Sequence, residues 1–244
     1  MIAQTKAELL KIRSTRTTLG LVLGMIALIL LFGLLAGLLT KAPHLLTKDD
    51  QRSVLGVGSI AGVFAALAGV LLVTSEYRFG TIRPTFLFTP KRSSVIEAKL
   101  AASMLAGVMF GILGEGLGFA IGYIALTQRG IHIVLNGGDI TLLLLGTLAG
   151  IVLWAAIGVG VAAIIRNQIG TIIGLLAWGF IVENLLFAFV PSIGRYTPGE
   201  AQNALMGLTT QHLLTPAAGA ATLTAWAIAL ALTALALTAR RDVT

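Results

Sequence analysis

Leu19-Gly20-Leu21-Val22-Leu23-Gly24-Met25-Ile26-Ala27-Leu28-Ile29-Leu30-Leu31-Phe32-Gly33-Leu34-Leu35-Ala36-Gly37-Leu38-Leu39 contains no charged residue and no proline. A helix of this length covers about 30 Å at 1.5 Å per residue, the thickness of a bilayer's hydrocarbon layer. The run is too long for a signal-peptide core, and no small-residue cleavage site follows it, so it is expected to stay as a membrane helix.

Outward from this run the pattern recurs. Six stretches have the length and apolarity to span a bilayer: Thr18 to Thr40, Val54 to Ser75, Leu100 to Thr127, Ile140 to Ile165, Ile169 to Val190 and Ala217 to Ala239. Between the fourth and fifth lie only Arg166, Asn167 and Gln168, enough for a tight turn. The 244 residues are 57% hydrophobic and 11% charged, whereas soluble domains carry about a quarter charged residues. The expected fold is an all-α membrane protein, a single transmembrane domain of six helices over residues 1–244.

The net charge of +7 raises the question of nucleic acid, and the positions of the charges answer it. With the N-terminus inside, one side collects Lys6, Lys11, Arg13, Arg16, Arg78, Arg83, Lys91, Arg92, Lys99, Arg166, Arg240 and Arg241. The other holds only Lys41, Lys48, Arg52, Arg129 and Arg195. That bias is the positive-inside pattern, so both termini are expected in the cytoplasm of a cell-membrane protein whose surroundings are lipid bilayer and not nucleic acid. There is no cysteine, and His44, His132 and His212 are scattered over loops, which leaves no metal-ligand cluster.

Three flanking segments carry further structure. In residues 1–17, Lys6, Arg13 and Arg16 share one helical face and Ile2 and Leu9 another, which predicts an amphipathic interfacial helix that meets anionic lipid, a partner, or both. In residues 191–216, Thr197-Pro198-Gly199-Glu200 reads as a capping box with Pro at the first helical position, and Gly207 is placed to end the helix. A short external helix before the sixth span, lying on the outer membrane surface or in a solvated loop, is the expectation. Small-xxx-small pairs such as Gly58/Gly62 and Gly146/Gly150 predict close helix approach.

The third segment, residues 76–99, alternates charged and aromatic residues. Gly80 separates the second span from a short helix expected over Thr81 to Phe88, and Phe79, Phe86, Leu87 and Phe88 lie among cations next to a membrane surface. Clusters of exposed large apolar groups mark contacts, here with lipid or with protein. The order Glu76-Tyr77-Arg78-Phe79-Gly80-Thr81-Ile82-Arg83, then Thr89-Pro90-Lys91-Arg92 and Lys99, resembles the permease subunits of the ABC-2 family of ABC transporters. Glu8-Leu9-Leu10-Lys11 with its trailing basic residues, the six spans and the segment before the sixth are similar too.

The resemblance implies that Thr81 to Phe88 is a coupling helix docked into a separate ABC ATPase subunit, with the N-terminal helix beside it. Glu76, Arg78, Phe79, Gly80, Thr81, Arg83, Phe86, Phe88, Pro90 and Arg92 would form that interface. Arg78, Arg83 and Arg92 would supply polar contacts and the Phe side chains would fill the pocket. Pro84 departs from a helical pattern and fits only in the first turn. A phosphate-binding loop needs Gly directly before its Lys, and no Lys here follows a Gly. ATP and Mg therefore belong to the partner subunit, this chain binds no cofactor and is no enzyme, and a second permease copy or homologue completes an exporter's path.

Glu115 and Glu183 lie inside the third and fifth spans, roughly 20 Å from the cytoplasmic end at 1.5 Å per residue. Carboxyl groups are costly in hydrocarbon, so Glu115, Glu183 and the adjacent Asn184 are candidates for a substrate pathway or for buried structural hydrogen bonds. An ion-coupled secondary transporter using the two acids is the alternative function. It leaves the basic-aromatic segment without a task.

Overall fold

The computed structural model describes residues 2–39, 45–88 and 92–240, and every regular element among them is helical. In order these are α1 (Ile2–Ser14), α2 (Arg16–Leu39), α3 (Lys48–Leu55), which runs through a 3-10 stretch (Gly56–Ile60) into α4 (Ala61–Arg78), then α5 (Ile82–Phe88), α6 (Arg92–Gln128) and α7 (Gly137–Ile165). They continue as α8 (Gln168–Ala177), which passes through a π-helical turn (Trp178–Val182) into α9 (Glu183–Phe189), followed by α10 (Pro191–Gly194), α11 (Pro198–Leu205) and α12 (Pro216–Arg240).

Six helices among the described residues are long and apolar enough to cross a membrane: Arg16–Ala36, Lys48–Arg78, Ser93–Gln128, Gly137–Ile165, Gln168–Phe189 and Pro216–Arg240. This is the architecture of a multi-pass membrane protein, because a helix satisfies its own backbone hydrogen bonds in lipid. The second and third of these helices extend furthest beyond the hydropathy expectation. The second begins at Lys48 and the third extends back to Arg92, since polar turns continue the helix beyond the apolar segment.

Caps account for the extension at Lys48. The Thr47 hydroxyl accepts the Asp50 N–H at 3.2 Å while the Asp50 carboxylate accepts the Thr47 N–H at 3.3 Å, and Asn136 and Asp139 make the same box for α7 at 2.8 and 3.1 Å. The box expected at Thr197 and Glu200 does not form. The Thr197 hydroxyl donates to the Gly194 carbonyl at 2.8 Å, and Glu200 accepts from the Asn203 amide at 3.2 Å. An N–H of that first turn, from Gly199, is taken instead by Glu183 of the fifth span. Gly207 does end α11: at φ +85° it donates to the Ala204 carbonyl at 2.9 Å while Leu208 N–H reaches the Asn203 carbonyl at 3.2 Å, a pair of bonds that needs a left-handed residue.

Helices α4, α6 and α7 form the centre. Hydrophobic effect alone cannot drive helices together in lipid, so close backbone approach through small residues does. An added Cβ at Gly158 of α7 would lie 2.8 Å from the Ala66 carbonyl carbon of α4, and one at Gly69 of α4 would lie 2.5 Å from the Ala155 oxygen of α7. Around this seam pack Phe64, Phe110 and Ile151 toward α2, and Val73, Ile96 and Leu175 toward α8. Large apolar side chains on the outer faces of α2, α8, α9 and α12, such as Leu31, Ile169, Phe189 and Leu232, point away from the bundle as lipid-facing groups do.

The end of the bundle formed by α3, α11 and the loop before α7 is tied by polar contacts. Arg52 and Lys48 bond Asp139 at 2.5 and 2.6 Å, Asp49 accepts the Thr209 N–H at 3.2 Å, and Gln51 bonds the His132 carbonyl at 2.9 Å and the Val134 N–H at 2.9 Å.

Candidate functional site

At the opposite end, α1 lies across α6 and α4 and is fixed by a buried charge cluster. Lys99 of α6 has no exposed surface; its ammonium group lies 3.0 Å from Glu8 of α1 and 2.9 Å from Glu76 of α4, and donates to the Leu72 carbonyl at 3.0 Å. Lys11 of α1 reaches the same carboxylates, Glu76 at 2.6 Å and Glu8 at 3.2 Å. Two acids and two cations thus balance, with Lys99 and both carboxylates buried, where an unpaired member would be costly, and Lys11 half exposed at the edge. Partial burial works to lower the Lys11 pKa, but the Glu76 hydrogen bond and the charges of Glu8 and Glu76 outweigh it and hold the ammonium above the ordinary lysine range.

This cluster relocates two residues that the sequence puts at a surface. Lys99 is internal, and Glu76 faces the cluster, not the surface shared by Arg78 and Phe79. Arg78 is exposed, its guanidinium 5.5 Å from the Phe79 ring centroid and 3.5 Å from the Gln168 side-chain oxygen. Gly80, at φ +70°, turns the chain away from α4. Ile82 buries itself as the anchor of α5, and Pro84 falls in its first turn, where the missing N–H removes no bond. Thr81 precedes α5 and accepts the Thr85 N–H at 3.2 Å. Phe79 and Leu87 are 71% and 81% exposed. The side chains of Arg83, Phe86, Phe88 and Arg92, and all of Pro90, lie outside the described residues.

The two acids of the spans part company. Glu115 is buried in α6 with neither carboxyl oxygen hydrogen-bonded; it faces Thr147 of α7 and presses on the 3-10 stretch, where an added Cβ at Gly58 would lie 2.5 Å from the Glu115 Cα. Glu183 is buried on α9, and its Oε2 accepts the Gly199 N–H at 2.6 Å, tying the fifth span to the start of α11. Asn184 is exposed and donates to the Gly179 and Phe180 carbonyls, both at 3.2 Å, across the π turn.

Glu183 and Asn184 line one cavity of about 220 Å³, and Glu115 is not among its lining residues. The cavity also exposes Ser59, Trp154, Glu200, Gln202 and Asn203, which the sequence reading does not single out for a pathway. Glu200 reads there as a capping residue, and nothing in its neighbours signals that it turns toward Glu183.

The fold and these sites define an all-helical, multi-pass membrane protein with a charge cluster at one end of its bundle and an acid-lined cavity toward the other. Comparison with protein-family models gives no match, and comparison with curated proteins gives none.

Proposed function

We propose that the chain is the membrane-spanning permease subunit of an ATP-driven ABC exporter, in which a separate nucleotide-binding subunit docks on α5 and α1. The observation that carries the reading is the charge cluster. A helix lying outside the spans is joined through Glu8, Lys11, Glu76 and Lys99 to the ends of α4 and α6, beside Phe79 at the end of α4 and Leu87 on α5, both turned outward. A push on α1 is delivered to two central spans through these ionic contacts, and one on α5 reaches α4 through the short connection at residues 79–81, which is the mechanical link a permease without its own phosphate-binding loop requires. A second permease copy completes the path, and both termini face the cytoplasm.

Two outcomes test this. Reporters fused after residue 244 and inserted near residue 89 should both read cytoplasmic, and an external signal from either removes the orientation. The tagged permease, purified from its native membranes, should carry an Mg-dependent ATPase activity that this chain cannot supply itself. A buried Leu or Phe side chain contributes about 1.5 to 3 kcal/mol, against at most about 1 for an exposed ion pair. Leu87→Ala and Phe79→Ala should therefore reduce co-purified ATPase activity about tenfold or more, and Arg78→Ala by less. Equal activity in all three variants places the docking surface elsewhere.

A further inference from the structure

The cavity beside Glu183 has a composition that points to its occupant. Its lining carries two carboxylates, Glu183 and Glu200, three amides, from Asn184, Gln202 and Asn203, and no Lys, Arg or His. Glu183, a lining residue, is 3% exposed, and its Oε1 is buried and makes no hydrogen bond although Trp178 and Thr197 lie beside the carboxyl group. Glu200 is near enough to act on it electrostatically, and burial pushes the Glu200 carboxyl above its usual range against the Asn203 hydrogen bond. Two acids without a counter-charge in a desolvated site are neutralised by protons or by a bound cation.

The rest of the wall is apolar and aromatic. Ile60, Val63, Leu176 and Phe180 face the cavity together with Trp154. Indole is the best of the natural rings at attracting a cation over its face. At about 30 Å³ per water molecule, the volume has room for a group several times that size. A hydrated metal ion would leave the apolar half of this wall unused, and two carboxylates make a poor cage for a bare one.

We infer that this cavity binds an amphiphilic organic cation, a small amine or quaternary ammonium whose charged head is held by Glu183 and Glu200 while its apolar part lies against Trp154 and Phe180. As a cargo class the inference rests on the permease reading. The binding itself needs no ATPase, so it is measured on this chain alone, and its failure is distinct from failure of the ATPase co-purification.

The experiment uses the full-length purified protein in lipid nanodiscs, with tritiated benzyltrimethylammonium as probe and its uncharged isostere neopentylbenzene as competitor. Saturable binding is expected, with weak competition by the isostere and a loss of affinity of about tenfold or more in Glu183→Gln, as for removal of a charge-assisted contact. Because Glu183 also holds Gly199, that variant is paired with Glu200→Gln, whose hydrogen bond is to the Asn203 side chain; the same loss is expected there. No saturable binding, equal competition by neopentylbenzene, or wild-type affinity in a folded Glu200→Gln protein each overturns the proposal.

Discussion

Lys99→Met is expected to destabilise the protein by about 3 kcal/mol or more, the cost of removing one partner from a buried ion cluster. Met has similar length and no charge, so the loss measures electrostatics and not a cavity. Without Lys99, the carboxylates of Glu8 and Glu76 keep only Lys11, whose side chain is 49% exposed and shared between them at 3.2 and 2.6 Å. The cheapest response is for α1 to lift and rehydrate Glu8. Reversible unfolding in mixed micelles should therefore show a lowered midpoint, and limited proteolysis should release α1 before the spans. Adding Glu8→Gln and Glu76→Gln to Lys99→Met removes the stranded charges and should recover much of the loss. An unchanged midpoint in Lys99→Met would mean that the cluster does not hold α1.

Gly158→Leu is expected to have an effect of similar size for a different reason. Its new side chain meets the backbone of Ala66, with the carbonyl carbon 2.8 Å and Cα 2.9 Å from where the first added carbon would sit. No flexible side chain stands there to move aside, so α4 and α7 must separate along the seam that also contains Gly69. Overpacking typically costs about 1 to 3 kcal/mol, and a backbone obstacle puts this site at the upper end. Gly174→Leu is the control: no atom lies within 4 Å of its added carbon, and a better helix former replaces glycine, so stability should hold or rise slightly. The same unfolding assay compares them, and equal midpoints for both variants would show that the seam yields without cost.

The six spans were legible because bilayer thickness imposes a length that no other constraint imitates, and each expected run has its helix. Their polar extensions were not, since a hydropathy reading stops where apolar residues stop, while Thr47 and Asp50 begin the second helix among charges. Pro84 and Gly207 were read correctly from local backbone chemistry alone. Lys99 was read as one more basic residue of a flank because its partner Glu8 lies 91 positions away, and only tertiary packing brings them together. Glu183 and Glu115 were grouped by depth along their helices. Depth says nothing about azimuth, and the structure packs Glu115 against Gly58 while Glu183 lines a cavity that does not include Glu115.

Azimuth is also what the π turn at Trp178–Val182 governs. Its hydrogen bond from Glu183 N–H to the Trp178 carbonyl spans five residues where an α-helix spans four, so the fifth span carries one residue more than a regular helix of the same rise. Each residue of an α-helix advances the side chain by about 100°. Winding this turn as a regular α-helix with no residue removed would lengthen the span by one residue's rise, about 1.5 Å, and rotate every group beyond it by about that angle. Glu183 would then swing from Gly199 and from the cavity toward a neighbouring face. The wide turn acts as an indexing step in the helix, absorbing one residue so that Glu183 and the groups after it keep the face they present.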